Sequence, residues 1–170
     1  RENPGRASSQ STCYDHTSLQ NVIEIDWEAM KVSVNSASGA LVLFDFKAAF
    51  PSVSHPFLIK CLELLGLPED AMKFIQVMYD HNKCFVRMHG QDFPGFDMLG
   101  GLRQGCPLSP LLFAVCVDLL LRMIVKDVPD CACRAFADDI ALALTNWWEQ
   151  GPRLDQIFRE FMHISNLGLN

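Results

Sequence analysis

From Leu19 onward apolar residues recur at three- and four-residue steps, at Val22, Ile23, Trp27, Met30 and Val34. This period predicts an amphipathic helix that buries them and ends at the polar stretch 35–39. Residues 40–44 then form a short, unbroken apolar run, as expected for a strand buried on both faces, and it leads directly into Asp45. A second helix is expected after Ser54, with Pro56 in its first turn, Phe57, Leu58, Cys61, Leu62 and Leu65 on one side, and Gly66 as its stop. A third follows, started by Pro68, Glu69 and Asp70 and carried by Met72, Ile75, Met78 and Tyr79 as far as Asn82.

Alternation between Cys84 and Met98, broken by His89-Gly90-Gln91, reads as two short strands around a turn. A glycine-rich loop at 100–105 precedes a long apolar helix led by Pro107 and Pro110. Leu111, Leu112, Val115, Leu119 and Met123 share one face of that helix, and its wide stripe predicts burial. Residues 134–137 and 140–144 are strand-like and meet at Asp138-Asp139. A last helix is expected from about Glu149 to Asn166, using Leu154, Ile157, Phe158, Phe161 and Ile164. The mixture lacks regular strand-helix-strand alternation, so the expected class is α+β, a small antiparallel sheet backed by helices. Residues 1–14, rich in Ser, Gly, Pro and Gln, are expected to fray.

Composition narrows the function. The chain has 170 residues, 49% of them hydrophobic, enough for a single domain with a real core. Its 14 Lys+Arg against 20 Asp+Glu give a charge of −6, which argues against a surface that grips nucleic acid everywhere, since phosphate contacts rest on Lys and Arg. No secretory leader follows Arg1, and no apolar run nears the ~20 residues of a membrane span, so no membrane association is expected. Seven cysteines, an odd number, fit a reduced, intracellular chain, and Cys131 and Cys133 lack zinc-site spacing. The five histidines show no ligand spacing either.

Candidate chemistry lies in carboxylates at strand ends. Asp138 and Asp139 interrupt the apolar stretch 135–144, where adjacent charges are costly unless paired, metal-bound or exposed in a turn. Asp45 ends another apolar strand, and antiparallel packing could bring it beside them. Three converging carboxylates suit hard divalent cations such as Mg2+, and two such ions support in-line phosphoryl displacement. On these grounds nucleases, phosphatases and polymerases all stay open.

Three strings resemble one family in order and spacing: ALVLFDFKAAF at 40–50, GLRQGCPLSPLLF at 101–113 and FADD at 136–139. They are similar to the palm motifs of reverse transcriptases, most closely those of non-LTR retrotransposons and group II introns, over residues 41 to 170. The resemblance implies a polymerase palm with partial fingers and no thumb, filling residues 1–170 as one domain. It also implies RNA-directed DNA synthesis from deoxynucleoside triphosphates on an RNA template and a DNA primer. Asp45, Asp138 and the Phe46 carbonyl would ligate two Mg2+ ions, with Mn2+ as an alternative, and Asp139 would stand beside them as the less direct ligand. Phe50 would exclude a 2′-hydroxyl. Gln104 and Gly105 would line the incoming nucleotide and template, and Arg103 would either touch a phosphate or remain a solvated loop charge.

Pro51 and Gln10 depart from the family pattern, and residues 166–170 resemble the opening of its next motif. Fingers, thumb and any endonuclease regions would belong to a parent polypeptide. Two rival readings remain: a non-catalytic palm remnant that binds nucleic acid or a partner, and an RNA-dependent RNA polymerase. The intact Asp45, Asp138 and Asp139 set weighs against the first, and Phe50 against the second.

Overall fold

The computed structural model describes residues 18–170, and the frayed segment expected at 1–14 lies outside them. In chain order the elements are α1 (Ser18–Asn35), β1 (Ala40–Asp45), α2 (Ala49–Ser52), α3 (His55–Leu64), α4 (Glu69–Tyr79), β2 (Lys83–Met88), β3 (Gln91–Asp97), α5 (Ser109–Asp127), β4 (Ala132–Phe136), β5 (Asp139–Leu144) and α6 (Trp147–Ser165). The class is α+β, as the mixed pattern predicts.

An antiparallel sheet ordered β1-β5-β4 sits at the centre, and β2-β3 forms a separate hairpin. Strand side chains alternate between the faces. Val42, Phe44, Ile140, Leu142, Leu144, Cys133 and Ala135 point to one side, where α3, α5 and α6 close the core. Aromatic rings join the layers: Phe44 stacks on Phe158 at 4.3 Å between centroids, and Phe161 meets Phe57 edge-on at 5.6 Å. Ring pairs of this kind add to the area they bury.

Burial expectations are corrected in five elements. β1 is an edge strand with one core face only, and Leu41 and Leu43 look outward, Leu43 being 73% exposed. α1 lies against β4 and β5, but its buried positions are Asn21 and Ile25, whereas Val22, Ile23, Trp27, Met30 and Val34 are all exposed. Polar ties set this rotation: Asn21 Nδ2 donates to Ala135 O at 3.2 Å, and Glu24 pairs with Arg134 at 2.7 Å. In α5 the buried face is Leu112, Phe113, Cys116, Val117, Leu120, Leu121 and Ile124, so Leu111 faces solvent and Val115, Leu119 and Met123 are only partly covered. Leu65 and Ile164 are also exposed.

Two substitutions test this orientation by urea unfolding. Phe161→Ala, at a fully buried position, is expected to cost about 3–5 kcal/mol. Trp27→Ala, on the exposed stripe, is expected to cost less than about 1 kcal/mol.

Candidate active site

The register of β1 with β5 runs from Ala40↔Leu144 to Asp45↔Asp139. The last pair sets two carboxylates directly opposite each other on one sheet face, with Cα atoms roughly 4.5–5.5 Å apart as in any antiparallel pair. Both are exposed, and Asp138 sits half-buried in the two-residue turn between β4 and β5. That turn begins with Ala137 at φ 53°, and Ala48, three residues after Asp45, has φ 47°. Left-handed backbone at a residue with a Cβ costs roughly 1–2 kcal/mol, and such strain collects at functional sites.

Phe46 follows Asp45 with its ring buried against Phe113 and Phe161. Its backbone faces Leu169 in an isolated antiparallel bridge whose hydrogen bonds belong to its neighbours: Lys47 N–H donates to Gly168 O at 2.8 Å, and Asn170 N–H to Asp45 O at 3.1 Å. The Phe46 carbonyl is therefore not used by that bridge. The side-chain amide of Asn170 donates to Asp45 Oδ2 at 2.5 Å.

The glycine-rich loop is strapped to residues 50–55, just past the Asp45 strand. Gly101 N–H donates to Val53 O at 2.8 Å, Leu102 N–H to Phe50 O at 2.7 Å, and His55 Nε2 lies 2.8 Å from Gly101 O. Gly101 has φ 87°, and a Cβ there would sit 2.6 Å from Pro51 O, so this approach needs glycine. Pro51 fits because it occupies the first turn of α2, where an N–H has no helical partner. Phe50 is half-buried and stacks on Phe113 at 4.8 Å.

Beyond the strap, Gln104 and Gly105 occupy an exposed turn. Arg103 is exposed and donates to Met78 O at 2.7 Å and to Asn82 Oδ1, tying the loop to the end of α4. Cys106 comes next, and the backbone N–H of Leu108 holds its thiol below the ordinary range, helped by Ser109 and the charge of Arg103.

The donors assembled here are hard oxygens: two facing carboxylates, a third on the adjoining turn and a carbonyl. That chemistry fits Mg2+, which commonly takes one or two protein carboxylates and fills its shell with water and substrate phosphates. Among the described residues no three His, Cys, Asp or Glu side chains are grouped so that they could hold a metal ion, so a cation here would rest on one or two carboxylates and take the remainder of its shell from water and substrate.

The profile of the family described as "Reverse transcriptase (RNA-dependent DNA polymerase)" matches residues 7–170. The chain belongs to the reverse transcriptase family.

Among its relatives is the Pol polyprotein of the type-1 retrotransposable element R2 of Popillia japonica, 26% identical over 73% of this chain and 22% of the relative. The corresponding protein of the type-2 element R2DM of Drosophila melanogaster is 30% identical over 74% of this chain and 12% of its own length. These relatives bear out the resemblance to the non-LTR retrotransposon kind. The chain spans about a fifth or less of these two curated relatives. Telomerase from Candida tropicalis, solved in complex with a fragment of telomeric RNA, superposes with a TM-score of 0.65 at 13% identity, over 89% of this chain and 27% of that one, which supports a palm-like fold.

In this reverse transcriptase chain, tertiary structure adds two residues to the site that motif reading did not assign to it. Asn170 reaches Asp45 from residues 166–170, the stretch that resembles the opening of the family's next motif. Asn21 lines a groove of about 520 Å³ that runs from α1 past Leu43 and Phe136 to Asp139, and its buried Oδ1 has no hydrogen-bond partner among the described residues.

Facing like charges predict that Asp139→Asn raises stability in chelator-treated protein by about 0.2–1 kcal/mol, measured by urea unfolding. Cys106 should be alkylated by iodoacetamide at pH 7.5 ahead of the buried Cys61 and Cys116, with peptide mass spectrometry as the readout. Its rate should level off at a lower pH than that of an ordinary thiol of pKa about 8.5, because its thiolate forms earlier.

Proposed function

We propose that this domain catalyses RNA-templated DNA synthesis, in which a primer 3′-hydroxyl attacks the α-phosphate of a deoxynucleoside triphosphate and pyrophosphate leaves. The observation that carries this reading is the Asp45↔Asp139 pairing, with Asp138 on the adjoining turn, in a chain of this family. Asp45, Asp138 and the Phe46 carbonyl would hold two Mg2+ ions, or Mn2+, with Asp139 alongside. Bound there, divalent cations lower the proton affinity of the attacking hydroxyl and offset charge on the departing pyrophosphate.

The remaining roles belong to the chain's own groups. Phe50, backed by Phe113, would present a fixed apolar wall to the sugar and disfavour a 2′-hydroxyl. Gln104, with both donor and acceptor, and Gly105, without a side chain, would border nucleotide and template. Arg103 would hold the loop in position for them. We assign residues 1–170 to one palm domain with partial fingers.

The grip on RNA template and DNA primer would come largely from fingers and thumb elsewhere in a parent polypeptide, with or without endonuclease regions. The net charge of −6 supports this division, since it supplies few cations for phosphate. An intracellular setting is supported by Cys61, Cys84, Cys106 and Cys116, which form no disulfide among the described residues. Among the described residues no helix is long and apolar enough to cross a membrane.

Primer extension on an RNA template by the parent polypeptide tests the reading. Asp45→Ala and Asp138→Ala should each lower extension by about 100-fold or more, and Phe50→Val should raise ribonucleotide incorporation roughly 10-fold or more. Undiminished extension in the two Asp variants would overturn the metal assignment. Absence of extension in the unsubstituted protein would favour the remnant reading, and equal use of ribonucleotides would favour an RNA polymerase.

A further inference from the structure

We propose that Asn170 is a positioning residue for the cation site, acting through Asp45; this rests on the function proposed above. Its amide nitrogen lies 2.5 Å from Asp45 Oδ2, and its backbone N–H donates to Asp45 O at 3.1 Å, so one residue grips both the carboxylate and the main chain of the proposed ligand. A carboxylate on an exposed strand end otherwise samples several rotamers. One oxygen held by a fixed donor leaves Oδ1 as the oxygen free for a cation. An amide suits this place because it donates without charge: a lysine there would compete with the cation.

The segment that carries Asn170 is itself anchored. α6 ends at Asn166, whose backbone is left-handed at φ 64°, whose N–H donates to Met162 O at 2.9 Å, and whose amide donates to Ser52 O at 2.9 Å. Leu167 is buried, and its N–H donates to the buried Ser165 hydroxyl at 3.1 Å. The Phe46–Leu169 bridge then brings the chain alongside the end of β1. Outer donors that orient metal-binding carboxylates typically change metal affinity by about 10–100-fold when removed.

The test is Mn2+ binding to the 170-residue chain, with free Mn2+ read by electron paramagnetic resonance and with urea unfolding of the same samples. Asn170→Ala and Asn170→Leu keep the backbone pairing and lose the amide. Each should raise the Mn2+ dissociation constant about 10-fold or more with an unchanged urea midpoint, and Asn170→Gln should recover part of the loss. Unchanged Mn2+ affinity in both variants, alongside weakened binding in Asp45→Asn, would overturn the positioning role alone. Unchanged affinity in Asp45→Asn would overturn the metal reading beneath it. A loss of affinity that only tracks a lowered urea midpoint would make Asn170 structural and overturn the proposal as well.

Discussion

The antiparallel register that sets Asp45 against Asp139 holds two negative charges together at the exposed end of a sheet, and such a pair repels. What keeps it in place is the opposite side of the same strands. Phe44 stacked on Phe158, and Phe46 wedged between Phe113 and Phe161, fix β1 to α5 and α6, so the register cannot slip without exposing those rings. A divalent cation at this edge would offset a repulsion that the apolar core otherwise sustains alone.

The second motif reaches the site through the backbone. Gly101 and Leu102 donate to the carbonyls of Val53 and Phe50, a few positions beyond Asp45, which ties the glycine-rich loop to the segment just past the carboxylate strand. In the two backbone hydrogen bonds the loop donates and Phe50 and Val53 accept, so Pro51, with no N–H, leaves neither bond unmade. Arg103 closes the other end of the loop on α4. Gln104 and Gly105 stay at the exposed tip, where a ligand can approach.

The exposed apolar residues follow from the same architecture. The sheet needs one face for its core, and helices α3, α5 and α6 supply that cover, while among the described residues α1 lies on the outer face. Trp27, Leu43 and Phe136 remain in solvent, and in the β2-β3 hairpin Phe85, Val86, Met88, Phe93 and Phe96 are all exposed. Contiguous apolar exposure of this kind is uncommon for an isolated chain and is typical of surfaces that meet other structure.

Apart from the short α2, local pattern was enough to read the element types and their order, because periods of 3.6 and 2 are written in neighbouring residues. It also carried the family strings and the three aspartates, since residue identity at fixed spacing needs no tertiary knowledge. It did not reveal which side of α1 is buried: Asn21 and Glu24 decide that by bonding to Ala135 and Arg134, more than 100 residues away. β1 was misread as two-faced because an apolar run looks the same at a sheet edge as at its centre. Only the folded chain could bring Asn170 to Asp45 across 125 residues, or show Arg103 holding α4, since such contacts depend on where strands pair and helices end rather than on any local spacing.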